Sequence, residues 1–247
     1  MGADVAIIGG TGLTALHDLK ITGREVVHTP FGEPSGPLVH GVLSGKDVVF
    51  LPRHGPGHTI PPHKVNYRAN IWALKEAGVS TVIAINAVGS IRSDLNPGRL
   101  VFPDQIIDYT WSRVNTFFES GLSHVVHIDF TRPYCDSLRE KLIAGAKDAG
   151  MDAASSGVYG ATQGPRLETA AEIDRLERDG CDMVGMTGMP EAALARELEL
   201  CYACCGVVAN WGAGRGAEVI TMEAIEQYLT AGMKDVRVLL EHTIPIL

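Results

Sequence analysis

The chain has 247 residues, a formal net charge of −8, 45% hydrophobic residues and 20% charged residues. This is the composition of a globular protein with a sizeable core, and the even spread of apolar segments favours one domain over residues 1–247. No apolar run approaches the roughly 20 residues that span a bilayer. The acidic balance argues against nucleic acid or a membrane surface as a partner. We see no secretory signal and expect a cytoplasmic protein.

The five cysteines are an odd number, and two of them are adjacent, so the sequence indicates no disulfide framework. Cys201 and Cys204 have the spacing of half a zinc site, but no second pair completes it. We therefore expect reduced cysteines on a buried strand and no bound metal.

The N-terminal segment predicts a buried strand that ends in an anion-binding turn. Val5 to Ile8 form a continuous apolar run, and Gly9 to Gly12 follow it directly. Such a turn exposes successive backbone N–H groups, and the Thr11 hydroxyl adds a donor. The turn matches neither the dinucleotide fingerprint nor the Walker sequence.

A basic segment follows the apolar run Val48 to Leu51. Residues 53–75 contain four Lys or Arg and three His but no Asp or Glu, although the whole chain is acidic. A strand that ends in Arg53-His54 and a Gly/Pro-rich loop is a common way to direct donors at an anion. The alternative is a solvated basic loop. We favour a second anion-binding loop that cooperates with the Gly9–Gly12 turn.

The remaining chain alternates between strand and helix patterns. Short strands are predicted over 24–50, and a helix is predicted from Val65 to Gly78. The further predicted strands are 79–90, 99–110, a strand from 158, 182–187 and 201–209, and the further helices are 136–149, 169–179, 190–199 and 221–242. This order is typical of an α/β fold with a mixed, mostly parallel central sheet flanked by helices. Ligands of such sheets collect at the carboxyl ends of the strands.

Several segments together resemble the methylthioadenosine phosphorylase branch of the trimeric purine nucleoside phosphorylases. They are Ile7 to Gly12, Thr29 to Gly32, Arg53 to Lys75, Gly89-Ser90, Gly164 to Arg166, Met186-Thr187 with Pro190-Glu191, and Cys201 to Ala203. The resemblance implies the nucleoside phosphorylase fold, a homotrimer, and attack of inorganic phosphate on C1′ of a purine nucleoside. Phosphate is then a co-substrate, and neither a cofactor nor a metal is required.

The resemblance also implies roles for individual residues. Met186 lies under the ribose, His58 and Tyr67 lie near the sugar or the subunit contact, and His127 reaches the neighbouring subunit's site. Asn86 stands where the methylthioadenosine enzymes usually have Thr, and its amide is a possible donor to phosphate. The resemblance assigns phosphate binding to Thr11, Arg53, His54, Ala87 and Thr187. Asn86 is the position at which this chain differs from the usual Thr of the family.

The expected base pocket departs from the methylthioadenosine enzymes, which have Ser after the aromatic residue that follows Gly-Pro-Arg, and Asp-x-Asp after the late strand. Here Leu167-Glu168 and Asn210-Trp211 occupy those positions. The Glu168 carboxylate can accept a hydrogen bond from N1–H, which 6-oxopurines possess and adenine lacks. The Asn210 amide can donate to O6 and accept from N7–H as the base departs. We therefore expect Asn210, Glu168 and His54 to be the catalytic residues, with Glu168 as a solvated helix-start carboxylate the alternative.

The 5′ side distinguishes a hydroxyl from a methylthio substituent. Enzymes for 6-oxopurine nucleosides place a His near the start of the last helix, and this chain has none between Trp211 and Tyr228. Met222 and Ile225, with Val219, instead suggest an apolar pocket. The predicted reaction is phosphorolysis of S-methyl-5′-thioinosine, with inosine, guanosine or methylthioadenosine as alternative substrates.

Two readings from other classes remain open at this stage. His54, His58 and His63 are candidate metal ligands of a hydrolase, although the intervening Gly and Pro residues preclude a regular helix there. A nucleoside-binding protein without catalysis is the other reading, and it would bind the base without turnover.

Overall fold

The computed structural model describes residues 3–13, 16, 18–216 and 220–247. Val219, which we assigned to the 5′ pocket, lies outside the described residues. Within them, no helix combines the length and the apolar character needed to cross a bilayer.

The described residues form one ten-stranded sheet with five α-helices. The strands are β1 (Val5–Gly9), β2 (Lys20–Glu25), β3 (Leu38–Leu43), β4 (Lys46–Pro52), β5 (Thr81–Ser90), β6 (Leu100–Val101), β7 (Gln105–Asp108), β8 (Val158–Ala161), β9 (Met183–Gly185) and β10 (Cys201–Trp211). The helices are α1 (Tyr67–Glu76), α2 (Asp136–Asp148), α3 (Ala170–Arg178), α4 (Gly188–Glu197) and α5 (Met222–Thr243).

The centre of the sheet is parallel: β4, β1, β5 and β10 are neighbours and run in the same direction. The side chains of β1 alternate between the two faces, as its pleat requires. Val5 and Ile7 pack with α2 and α5, whereas Ala6 and Ile8 pack with α1 and α4. Because both faces are covered by helices, β1 is apolar at every position. The expected α/β fold with a mixed sheet is confirmed.

The predicted elements agree with the structure except between residues 99 and 110. There β6 and β7 replace one long strand. Pro103 lies between them, and proline cannot donate a ladder hydrogen bond, so the strand is interrupted. β6 pairs with β10, whereas β7 pairs with β8 at the edge of the sheet.

The expectation that the cysteines are reduced is wrong for two of them, because Cys135 and Cys201 form a disulfide. The bond joins the residue that precedes α2 to the first residue of β10, and the Cys135 N–H also donates to the Tyr202 carbonyl at 2.8 Å. Cys181, Cys204 and Cys205 are free and buried. The two bonded residues are 66 positions apart, a pairing that local sequence spacing does not indicate.

We expect this disulfide to stabilise the fold. Closing a long loop restricts the unfolded chain, so the Cys135→Ser/Cys201→Ser variant should have a free energy of unfolding about 2–4 kcal/mol below wild type. Chemical denaturation without reductant measures the difference. A reductant should lower the stability of wild type and leave the double variant unchanged, and an equal response of both proteins would contradict a formed bond.

Candidate active site

A cavity of about 410 Å³ lies beyond the carboxyl ends of β1 and β4, beside the later residues of β5 and β10. Most of the residues that the sequence analysis assigned to the site line this cavity, whereas Asn86, Tyr67 and His127 do not. Those that line it are Thr11, Arg53, His54, His58, Ala87, Leu167, Glu168, Met186, Thr187, Asn210, Met222 and Ile225. Residues far apart in the sequence therefore meet in one space, as expected for an open parallel sheet.

The two predicted anion-binding loops are neighbours. β1 and β4 pair in register up to Gly9 opposite Pro52, and the Arg53 N–H donates to the Gly9 carbonyl at 2.9 Å. Gly10 fits where a larger residue would not, because a Cβ there would lie 2.5 Å from the Ile85 carbonyl oxygen. Gly10 and Thr11 consequently face the same cavity as Arg53 and His54.

Arg53 is fully buried and forms a two-pronged ion pair with Glu191 at the start of α4. Arg53 Nε and Nη2 donate to Glu191 Oε2 and Oε1, both at 2.7 Å. Burial by itself would lower the pKa of Arg53, but the Glu191 carboxylate raises it above its ordinary value. The predicted cationic centre is therefore a neutral pair whose geometry is rigid.

Further hydrogen bonds orient this pair. Arg53 Nη1 donates to the Ile85 carbonyl at 2.9 Å, and Nη2 also reaches Asn86 Oδ1 at 3.4 Å. The buried Tyr202 hydroxyl donates to Glu191 Oε1 at 2.8 Å. Four of the five guanidinium hydrogens thus have protein acceptors, which leaves one on Nη1 at the cavity wall.

Asn86 lies behind the cavity wall and supports two residues that line it. It is 1% exposed, its Nδ2 donates to Thr187 Oγ1 at 2.7 Å, and its Oδ1 accepts from Arg53 and from the Cys204 thiol. Because Thr187 Oγ1 accepts this bond, the Thr187 hydroxyl hydrogen stays free to point into the cavity. The observed position fits orientation of Thr187 better than the direct donor role suggested by the sequence.

His54 is a neutral imidazole at ordinary pH. Burial, followed by the nearby Arg53 charge, lowers its pKa from 6.5 to about 4. Its Nδ1 lies 2.8 Å from the Ile60 carbonyl oxygen, which only a protonated Nδ1 can satisfy. Nε2 of the neutral ring is then an acceptor, suited to a hydroxyl such as that of a protonated phosphate.

The Glu168 carboxylate is available to a ligand because neighbouring residues form the helix cap and the arginine ion pair that Glu168 could otherwise form. Thr169 and Glu172 form the capping box of α3, so Glu168 is not needed at the helix start. Arg166 binds both carboxylate oxygens of Glu172, at 2.8 and 2.7 Å. Glu168 Oε1 accepts from the Thr162 hydroxyl at 2.6 Å. Oε2 remains for a ligand donor, which weakens the helix-start alternative.

Asn210 lies on β10, beyond the bulge that follows Val208. Its Nδ2 donates to the Trp211 carbonyl at 2.7 Å, which fixes the plane of the amide. One N–H and the Oδ1 acceptor remain for the cavity. This pair of groups matches the O6 acceptor and N7–H donor of a 6-oxopurine.

Apolar side chains line the rest of the cavity. Met186 packs against Gly164 so closely that a Cβ on Gly164 would lie 2.4 Å from Met186 Sδ. The N-terminal part of α5 contributes Met222, Ile225 and also Leu229, which the sequence analysis missed. Met222 and Ile225 therefore line the same cavity as Glu168 and Asn210.

His58 lines the cavity, and its ring centroid lies 4.7 Å from that of His54. Burial lowers the pKa of His58 as well.

Across residues 3–13, 16, 18–216 and 220–247, no three His, Cys, Asp or Glu side chains converge as a metal site requires. The metal-hydrolase reading therefore finds no ligand set there.

His127 is exposed and lies outside the cavity of its own chain, in the irregular segment between β7 and α2. Tyr67 is buried, and its hydroxyl donates to the Pro62 carbonyl at 2.9 Å. The sequence analysis quoted the segments that contain Glu191 and Tyr202 but gave these residues no supporting role, and it did not single out Thr162 or Arg113.

The lowered pKa of His54 predicts an acid-sensitive stability. Between pH 6.5 and 4 the unfolded chain binds a proton that the folded chain excludes. The free energy of unfolding is therefore unaffected by this group above pH 6.5, and it falls by roughly 3 kcal/mol as the pH is lowered to 4. Denaturation across this range should show wild type losing more stability than His54→Gln. His28→Gln, at an exposed ring, should follow wild type. Parallel curves for wild type and His54→Gln would contradict the prediction.

Comparisons with known proteins identify the family of the chain. The Phosphorylase superfamily model matches residues 4–245. The chain is 55% identical over 232 residues to a probable S-methyl-5′-thioinosine phosphorylase of Pseudomonas syringae pv. tomato, covering 94% of both chains. It is 44% identical over 250 residues to the 6-oxopurine nucleoside phosphorylase of Pyrococcus furiosus, covering 98% of this chain and 92% of that one.

The fold is also similar to that of a solved structure. Methylthioadenosine phosphorylase from Schistosoma mansoni, in complex with adenine, superposes with a TM-score of 0.94 at 36% identity, covering 99% of this chain and 91% of that one. These relatives are nucleoside phosphorylases, which are pentosyltransferases. The chain therefore belongs to the phosphorylase superfamily and is an enzyme of its nucleoside phosphorylase group.

Proposed function

We propose that the enzyme catalyses phosphorolysis of S-methyl-5′-thioinosine to hypoxanthine and 5-methylthioribose 1-phosphate. The observation that supports this most is the pairing of Glu168 and Asn210 in one cavity, each with a free hydrogen-bonding group. Together they complement N1–H, O6 and N7–H of a 6-oxopurine. Adenine would leave the Glu168 carboxylate without a donor, which costs binding free energy.

The reaction needs inorganic phosphate as co-substrate at the opposite end of the cavity. Gly10, Thr11, the free Arg53 Nη1–H and the Thr187 hydroxyl supply donors there. A phosphate oxygen forms a bond to C1′ while the bond from C1′ to N9 breaks, the electron pair of that bond passes to the purine, and N7 of the purine takes up a proton from solvent. Asn210 stabilises the departing base through N7–H, and His54 Nε2 accepts from the phosphate hydroxyl.

The 5′ substituent is the second element of the proposal. Met222, Ile225 and Leu229 present carbon and sulfur atoms to the cavity, which suits a methylthio group better than a hydroxyl. The relative named as a probable S-methyl-5′-thioinosine phosphorylase is more similar to this chain than the 6-oxopurine enzyme. Inosine or guanosine phosphorolysis is the nearest alternative, because it uses the same base contacts.

We also propose a cytoplasmic homotrimer in which His127 reaches a neighbouring cavity. Apolar side chains are exposed in the segment that contains His127, as at a surface that another chain covers. They are Trp111, Val114, Leu122, Val125 and Val126.

The substrate assignment is tested by release of free base from methylthioinosine, methylthioadenosine, inosine and guanosine, with and without phosphate. Phosphate-dependent release of hypoxanthine from methylthioinosine should dominate. Glu168→Gln should lower kcat/KM for methylthioinosine about 100-fold, because a charged acceptor of N1–H is lost. Glu177→Gln, at an exposed carboxylate on α3, is the matched control.

Each other outcome has a distinct meaning. Preference for inosine would retain the base contacts and reject the methylthio pocket. Rapid release of adenine from methylthioadenosine would contradict the roles of Glu168 and Asn210. Binding of nucleosides without phosphate-dependent turnover would reject the reaction itself.

A further inference from the structure

Arg113 lies in the irregular segment between β7 and α2, outside the cavity lining, yet it contacts several segments that form the cavity. Its Nη2 donates to the Gln163 carbonyl at 2.8 Å and to the Thr162 carbonyl at 3.3 Å, and its Nε reaches Gln163 Oε1 at 3.2 Å. Its Nη1 donates to the Met186 carbonyl at 2.8 Å and to the Met189 carbonyl at 2.6 Å. One guanidinium therefore links the base side of the cavity to the ribose side.

All of these acceptors are neutral, and so is the sixth, the Tyr67 hydroxyl at 3.3 Å. The guanidinium also lies over the Tyr67 ring, 5.5 Å from its centroid. The planar guanidinium satisfies all of its N–H groups with carbonyl, amide and phenol oxygens in fixed directions. None of these six contacts is an ion pair, so the guanidinium orients the segments that it binds and does not neutralise a carboxylate.

The segment that Arg113 holds is the one that presents Glu168. The Thr162 carbonyl accepts from Arg113, the Thr162 N–H donates to the Gly185 carbonyl at 2.8 Å, and the Thr162 hydroxyl donates to Glu168 Oε1. A chain of contacts thus runs from Arg113 through Thr162 to the carboxylate. The phosphate-side residues Thr187 and Glu191 have additional support, because Asn86 donates to Thr187 and because Arg53 and Tyr202 hold Glu191.

We propose that Arg113 is a positioning residue that sets the distance between the Glu168 carboxylate and the ribose-side residue Met186. The identity of the base that Glu168 selects rests on the proposed function. The position of the Glu168 segment does not depend on that identity. Loss of the guanidinium should let the segment shift, and the site should then discriminate bases less well.

Arg113→Lys tests this proposal, because a lysine retains the charge but not the planar set of donors. The ratio of kcat/KM for methylthioinosine to that for methylthioadenosine should fall at least about tenfold, while the KM for phosphate stays within about threefold. A purely structural defect would lower turnover of both nucleosides equally. Arg175→Lys, at a side chain 68% exposed on α3, is the matched control and should leave both quantities unchanged.

An unchanged ratio and unchanged nucleoside KM in folded Arg113→Lys would overturn the proposal. If this variant does not fold, Thr162→Val decides, because it removes the hydroxyl that donates to Glu168 Oε1 at 2.6 Å and approaches the Gly185 carbonyl only at 3.4 Å. The ratio should fall in Thr162→Val and persist in Thr162→Ser, and equal ratios in both would overturn the proposal. If wild type itself accepts both nucleosides equally, the proposed substrate is wrong. The positioning role of Arg113 is then supported if Arg113→Lys raises the nucleoside KM while the phosphate KM stays constant, and it is overturned if the nucleoside KM is unchanged.

Discussion

The site depends on one buried ion pair, Arg53 with Glu191. Both side chains are fully buried, and two short hydrogen bonds join them. Removing either partner from such a pair leaves an uncompensated buried charge, which typically costs about 3–5 kcal/mol. Arg53 follows β4 and Glu191 opens α4, so the pair fixes a loop against a helix that lies 138 residues later. Tyr202 of β10 and Asn86 of β5 extend the same network across the sheet.

This pairing changes how an anion is held. The basic cluster in the sequence suggests free cations, but Glu191 neutralises Arg53, and burial keeps His54 uncharged near neutral pH. In the proposed reaction, oriented dipoles and single N–H or O–H groups are the donors for phosphate, and such groups need no reorganisation when an anion enters. Near Glu168 and Asn210, the Thr162 hydroxyl binds one carboxylate oxygen of Glu168, and the Trp211 carbonyl accepts one N–H of Asn210. The other oxygen of Glu168, and the second N–H and the Oδ1 of Asn210, are left for a ligand. Both ends of the cavity are thus prepared by contacts within the protein.

Local sequence patterns predicted the elements and the two anion-binding loops, whereas the other residues of the cavity were assigned through the family resemblance. The apolar run of β1 with its glycine turn, and the β4 run that ends in Arg53-His54, are adjacent in the sequence and mark strand ends. Most of the missed features are long-range. Glu191 pairs with Arg53, Arg113 contacts carbonyls about 50 or more residues later, and Cys135 bonds Cys201. Periodicity within a segment carries no information about which distant segment will lie beside it.

The most direct test of the account is a crystal structure of the protein with hypoxanthine and phosphate together. We predict that Glu168 Oε2 lies within hydrogen-bond distance of N1, that the Asn210 amide contacts N7 and O6, and that phosphate contacts Thr11, Arg53 and Thr187. The single free hydrogen on Arg53 Nη1 should point at the anion while the Glu191 pair stays intact. A base that lies away from Glu168 and Asn210, or a phosphate that displaces Glu191 from Arg53, would contradict the account.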